Sequence, residues 1–123
     1  MKAPVASDPD FEDAAQEAAL AWLGLIDDAQ YRESWEQAAS LFKCRISRSR
    51  WIGAIRSTQA PFGKVQSRSF LRAVYDTRLP GVPDGKYVVI RYRTAFEHKE
   101  EAVETVTPML DQDGIWRVSG YFI

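Results

Sequence analysis

The chain has 123 residues, 46% hydrophobic and 27% charged, with a formal net charge of -1. That length supports one core without staples, and the composition is that of an ordinary soluble globular chain. The near-neutral total is far from the basic footprint of a nucleic-acid binder. The single Cys44 excludes an internal disulfide, and no apolar run is long enough to span a bilayer.

The average hides a segregation: Asp8 to Ser40 holds nine acids and one base, and Lys43 to Arg72 holds eight bases and no acid. The simplest expectation is that the two blocks sit side by side and partly neutralise each other. A basic block can also hold phosphate, nucleic acid or a membrane surface.

In chain order, Met1–Ser7 reads as a flexible tail, leaving 8–123 as one domain. The start is too polar for a signal peptide, so export would require a leader removed ahead of it. Asp8-Pro9-Asp10 opens a helix: an acceptor for free backbone amides, a proline at the first helical position, and acids at the positive end of the dipole. Phe11, Ala14, Ala15, Ala18, Trp22, Leu25 and Ile26 follow at helical spacing. Asp27-Asp28 breaks that helix. Tyr31, Trp35, Ala38 and Phe42 predict one face of a second helix. Ser47 caps a third through about Ser57, with Trp51, Ile52 and Ile55 apolar. Cys44 falls between predicted helices and is expected to be a small buried group. Ala60-Pro61-Phe62-Gly63 is a turn.

Four strands follow. Val65–Thr77 is the least clean, with Phe70 and Val74 on one parity and Leu71, Ala73 and Tyr75 on the other; coverage of both faces or a bulge would account for it. Gly85–His98 is the central strand, with Val88, Ile90, Tyr92, Thr94 and Phe96 aimed at a core and Arg91 and Arg93 kept wet. Its apolar side should be roofed by the helices bearing Trp22 and Trp35. Glu97 to Glu101 turns the chain. Ala102–Leu110 is a third strand, which Pro108 places at an edge or stops from pairing. Asp111–Gly114 is a hairpin connection, and Ile115–Ile123 closes the sheet with Trp116, Val118, Gly120 and Phe122 on one face and Ile115, Arg117, Ser119 and Tyr121 on the other. The order predicts an α+β fold: two to three N-terminal helices packed on a curved four-stranded antiparallel sheet.

Two groups of residues carry a resemblance. Ala21–Asp27, Tyr31, Ser34-Trp35, Arg56, Pro61-Phe62-Gly63, Val65 and Ser67-Arg68 form the first. Gly85–Ile90, Phe96-Glu97, Glu104 and Gly114–Tyr121 form the second. Together, from Trp22 to Ile123, the chain resembles a bacterial domain-of-unknown-function family, family 4019. The resemblance implies a small protein of a kind often exported through a removable leader, hence periplasmic or secreted. The element order also resembles a reduced cystatin-like or nuclear-transport-factor-like cone. That likeness is one of fold only, and such folds host both enzymes and binders.

Candidate site residues come from charge in unusual places. Glu104 lies in a strand among residues expected to be buried, and Arg56 and Arg68 flank the Pro61–Gly63 turn and could converge on it. The three form either a buried ion pair or a pocket that grips a ligand carboxylate or phosphate with forked hydrogen bonds. Tyr92 needs a partner for its hydroxyl if buried. Trp35 is the tryptophan taken to line a pocket mouth, though packing is the simpler role for all four. His98, the only histidine, sits in a predicted turn and is expected to be solvated. No residue is assigned as catalytic, no metal ligand set is spaced for a metal, and no cofactor is expected.

The expectation is therefore a non-enzymatic domain that binds a small molecule or a protein partner between helices and concave sheet. The alternative is an isomerase- or lyase-type cone enzyme in which Glu104 moves a proton and Tyr92 donates to a developing oxyanion. The third reading is an anion-binding accessory module using Lys43–Arg50. Nucleic acid and a membrane span are not expected as partners, and a homodimer through back-to-back sheets is a plausible assembly.

Overall fold

The computed structural model describes residues 9–123, with side chains from Phe11 onward. The tail Met1–Ser7 and the expected Asp8 cap lie outside the described residues. Helix α1 spans Pro9–Asp27 and buries Ala15, Ala19, Trp22, Leu23 and Ile26 on one face. It ends in a Schellman turn. The Gln30 amide donates to the Leu25 carbonyl at 2.8 Å and the Ala29 amide to that of Ile26 at 3.0 Å, with Ala29 itself at φ 58°.

The expected second helix is two helices, α2 (Tyr31–Glu36) and α3 (Ser40–Arg45). The break has a tertiary cause. The Ala39 amide donates to the Val118 carbonyl at 2.8 Å, out of register with any helix. Ser40 then donates through its amide (3.1 Å) and hydroxyl (2.8 Å) to the Asp111 carboxylate, which caps α3 from the far side of the chain. Ala38 and Phe42 still reach the core, with Trp35 packed beside it. Cys44 lies within α3 and is exposed, so the expected burial is wrong: its helix faces the core through Phe42 instead. Helix α4 (Arg48–Gln59) starts at Ser47, whose hydroxyl accepts from the Arg50 amide at 3.3 Å, and buries Trp51 and Ile55. Ser34 is fully buried between two indoles: Trp22 donates to its carbonyl at 2.8 Å and Trp51 to its hydroxyl at 2.9 Å.

Strands β1 (Val65–Asp76), β2 (Tyr87–Phe96), β3 (Lys99–Leu110) and β4 (Trp116–Phe122) form an antiparallel meander in the order β1-β2-β3-β4. The helices cover one face. Val88, Ile90, Tyr92, Thr94 and Phe96 are all buried, and Trp22, Val88, Ile90, Tyr92, Val106 and Val118 belong to one cluster. Burying side chains of this size is worth about 1.5–3 kcal/mol each and is the main attraction between the layers.

Bulges decide which side chains share the covered face. In β1 the register slips past Leu71, so Phe70 and Ala73 face the same way although their sequence parity differs. In β4 it slips past Ser119, whose hydroxyl donates to the Thr107 carbonyl at 2.8 Å. Beyond that bulge Tyr121 stands opposite Val106 and turns inward, while Phe122 stands opposite Thr105 and is 64% exposed. The simple alternation expected for this strand fails at that point. Pro108 is not at a sheet edge, because β3 lies between β2 and β4. The bulge beside Pro108 accommodates the proline that a regular internal ladder would reject. The β2–β3 turn is tighter than expected, only Glu97-His98.

Candidate functional site

Glu104 is 1% exposed in the middle of β3. A carboxylate buried to that depth must be fully hydrogen-bonded. Its Oε1 accepts from Arg68 Nε at 2.7 Å and from the Thr94 hydroxyl; its Oε2 accepts from the Tyr121 hydroxyl at 2.6 Å. Each of the four strands thus contributes one residue to the cluster. The helices extend it. Gln59 at the end of α4 donates to the Tyr121 oxygen at 3.2 Å. Asp27 at the end of α1 accepts both terminal nitrogens of Arg68, at 2.8 and 2.9 Å.

The electrostatics follow from that geometry. Burial alone would lower the Arg68 pKa, but bonds to Asp27 and Glu104 outweigh it and hold the guanidinium firmly charged. Burial, with the adjacent Glu104 charge, pushes the Tyr121 phenol far above its ordinary value, so it stays a donor. Tyr92 stands directly opposite Glu104 on the neighbouring strand, and burial raises its pKa too. Its hydroxyl has no hydrogen-bond partner in the protein, the one buried side-chain polar atom in that position among the described residues. Its ring meets Phe70 edge-on, with centroids 6.2 Å apart.

Arg68, Glu104 and Tyr92 are therefore brought together, and Arg56 and Trp35 are placed elsewhere. Arg56 does not converge on Glu104. It is exposed and lines an open cleft of about 720 Å³ with Asp27, Asp28, Tyr31, Gln59 and Lys64. Trp35 donates to the Ile46 carbonyl at 2.9 Å, with the Lys43 ammonium 5.9 Å from its ring centre. Sequence reasoning missed Tyr121, Thr94, Asp27 and Gln59 as partners of the cluster. A glycine inside a strand is a bulge signal, and Gly120 could have flagged the parity switch that turns Tyr121 inward. Nothing local marks Asp27, which is held by a residue 41 positions away.

The cleft beside the cluster lies between two corners of the chain. One is the α1–α2 corner, Ile26 to Tyr31; the other runs from the end of α4 to the start of β1, Arg56 to Val65. Asp27 and Gln59 belong both to the cleft lining and to the Glu104 network, so the buried cluster fixes the cleft from behind. A smaller hollow of about 360 Å³ shares Ala29, Tyr31 and Arg56 with it. A second groove, of about 500 Å³, lies between α1 and β4 and is lined by Trp22, Leu25 and Trp116.

Lys43, Arg45, Arg48 and Arg68 of the basic block are engaged within the fold. Lys43 donates to the Glu36 carbonyl at 3.1 Å, Arg48 meets the Glu36 carboxylate at 3.5 Å, and Arg45 donates to the Gly81 carbonyl. His98 is exposed in its turn. Among the described residues no group of three or more His, Cys, Asp or Glu could hold a metal ion, and no helix is long and apolar enough to cross a membrane. No curated protein matches the chain. The model of a family described as "Protein of unknown function (DUF4019)" matches residues 18–121, the four strands but for the last residue of β4 and most of the helical layer, and the chain belongs to that family.

Proposed function

We propose that the protein is a non-catalytic binding domain that takes a small molecule bearing a carboxylate or phosphate in the cleft between the α1–α2 corner and the α4–β1 corner. The observation that carries this reading is the division of labour between the arginines. Arg68 spends Nε, Nη1 and Nη2 on Glu104 and Asp27, whereas Arg56 and Lys64 form no ion pair among the described residues and line the open cleft. A guanidinium with its fork free is suited to grip a planar or tetrahedral anion. Ala29 supports the reading: a non-glycine residue held in the left-handed region borders both adjoining hollows, and such backbone strain gathers at functional sites.

The isomerase- or lyase-type alternative needs Glu104 to exchange a proton with substrate. Both its oxygens are engaged by protein donors, and it lines none of the three clefts described. Titration of the labelled protein with acetate, benzoate and inorganic phosphate at millimolar concentration, followed by amide NMR shifts, tests the binding reading. Shifts should cluster at residues 27–31 and 56–65 and vanish in Arg56→Ala. No shifts, or shifts centred on another face, would overturn it.

A further inference from the structure

The two walls of this cleft carry opposite charge. The α4–β1 wall presents Arg56 and Lys64, and the α1–α2 wall presents Asp28, whose carboxylate forms no ion pair among the described residues. Asp27 beside it is paired with Arg68, which it shares with Glu104. No ion pair joins Asp28 to Arg56 or Lys64 across the gap. Apolar surface from the half-buried Tyr31 and Val65 lines the same hollow. A site that keeps a free cation, a free anion and an apolar patch around one space complements a molecule with those three parts inverted.

We infer that the ligand is zwitterionic: a free α-amino acid with an apolar side chain. Its carboxylate meets Arg56, with Lys64 alongside. Its ammonium faces Asp28, and its side chain lies against Tyr31 and Val65. The inference rests on the proposed function and narrows it, since that reading asks only for an anionic group. Charge complementarity on both walls also discriminates: a simple carboxylate leaves Asp28 facing the ligand without a partner, and a simple amine does the same to Arg56.

The test compares L-leucine with N-acetyl-leucine and leucine amide by NMR shift titration of the intact protein. Leucine should bind in the cleft, and masking either end should weaken binding about tenfold or more. Asp28→Asn should abolish the preference for leucine over N-acetyl-leucine, and Arg56→Ala the preference over leucine amide. Both residues are exposed at corners, so these variants are expected to fold, and the amide spectrum shows whether they do. If N-acetyl-leucine and acetate bind as well as leucine, the zwitterion inference fails and the binding reading stands. If leucine amide binds and every carboxylate and phosphate does not, both fail.

Discussion

One carboxyl group touches every strand of the sheet. Removing it strands Arg68 with Asp27 alone and leaves the Thr94 and Tyr121 hydroxyls without their acceptor. Losing one partner of a buried charged pair typically costs about 3–5 kcal/mol. Because Arg68 keeps Asp27, Glu104→Ala should fall at the lower end, about 3 kcal/mol, in urea unfolding. A loss of less than about 1 kcal/mol would show the cluster to be peripheral to stability. The two tyrosines beside it should behave in opposite ways. Tyr121→Phe removes a hydrogen bond to a buried carboxylate and should cost about 1.5–3 kcal/mol. Tyr92→Phe removes a hydroxyl that has no protein partner, so it should leave stability unchanged or raise it. A clear loss in Tyr92→Phe would mean that the hydroxyl is satisfied in solution.

At the scale of elements, the corner after α1 bends at Ala29, whose φ of 58° suits glycine better than alanine. Ala29→Gly should therefore stabilise the protein by about 0.5–1 kcal/mol, measured by the shift in unfolding midpoint. A destabilised variant would show that the alanine methyl contributes more than the turn costs. Helix α1, the cap at Ser47 and the whole of β2 were legible in sequence, because each rests on a local signal: periodicity, a side chain within three residues, or strict alternation. The α2–α3 break was not, since Ala39 and Ser40 answer to Val118 and Asp111, more than 70 residues later. Nor was the pairing of Tyr121 with Glu104. Alternation placed Tyr121 on the face opposite Val118, and only the bulge at Ser119 brings both inward. Of the cluster, Arg68 and Glu104 could be read because charge in a strand is conspicuous, whereas Thr94 and Gln59 look ordinary anywhere.

At the scale of the molecule, the helical layer is tied to the sheet by Asp111 as well as by the core. Its carboxylate accepts from the amide and hydroxyl of Ser40 and from the amide of Gln112, and it meets Arg117 at 3.3 Å. Burial would raise its pKa, but the bonds from Ser40, then Gln112 and Arg117, outweigh that and hold it below the usual aspartate range. The unfolded chain therefore binds a proton at Asp111 more readily than the folded one does. The stability this residue contributes is complete above the unfolded value of about 4 and is lost as pH falls through the lower folded value. Asp111→Asn should cost stability at neutral pH, and the gap to the unaltered protein should narrow below about pH 4. A gap as wide at pH 3 as at pH 7 would disprove the linkage.

The looped-out Ser119 lets the last strand lose a residue but not gain one. Deleting that one residue would restore simple alternation from Trp116 onward. Gly120, Tyr121 and Phe122 would keep their partners Thr107, Val106 and Thr105, so the phenol would still face Glu104, whereas one residue inserted after Gly120 would turn it to the solvent side. Removing this single small serine should thus be tolerated about as well as replacing it with alanine, since both lose only its bond to Thr107, whereas an insertion between Gly120 and Tyr121 should harm the fold far more than one in the Leu79–Gly85 connection.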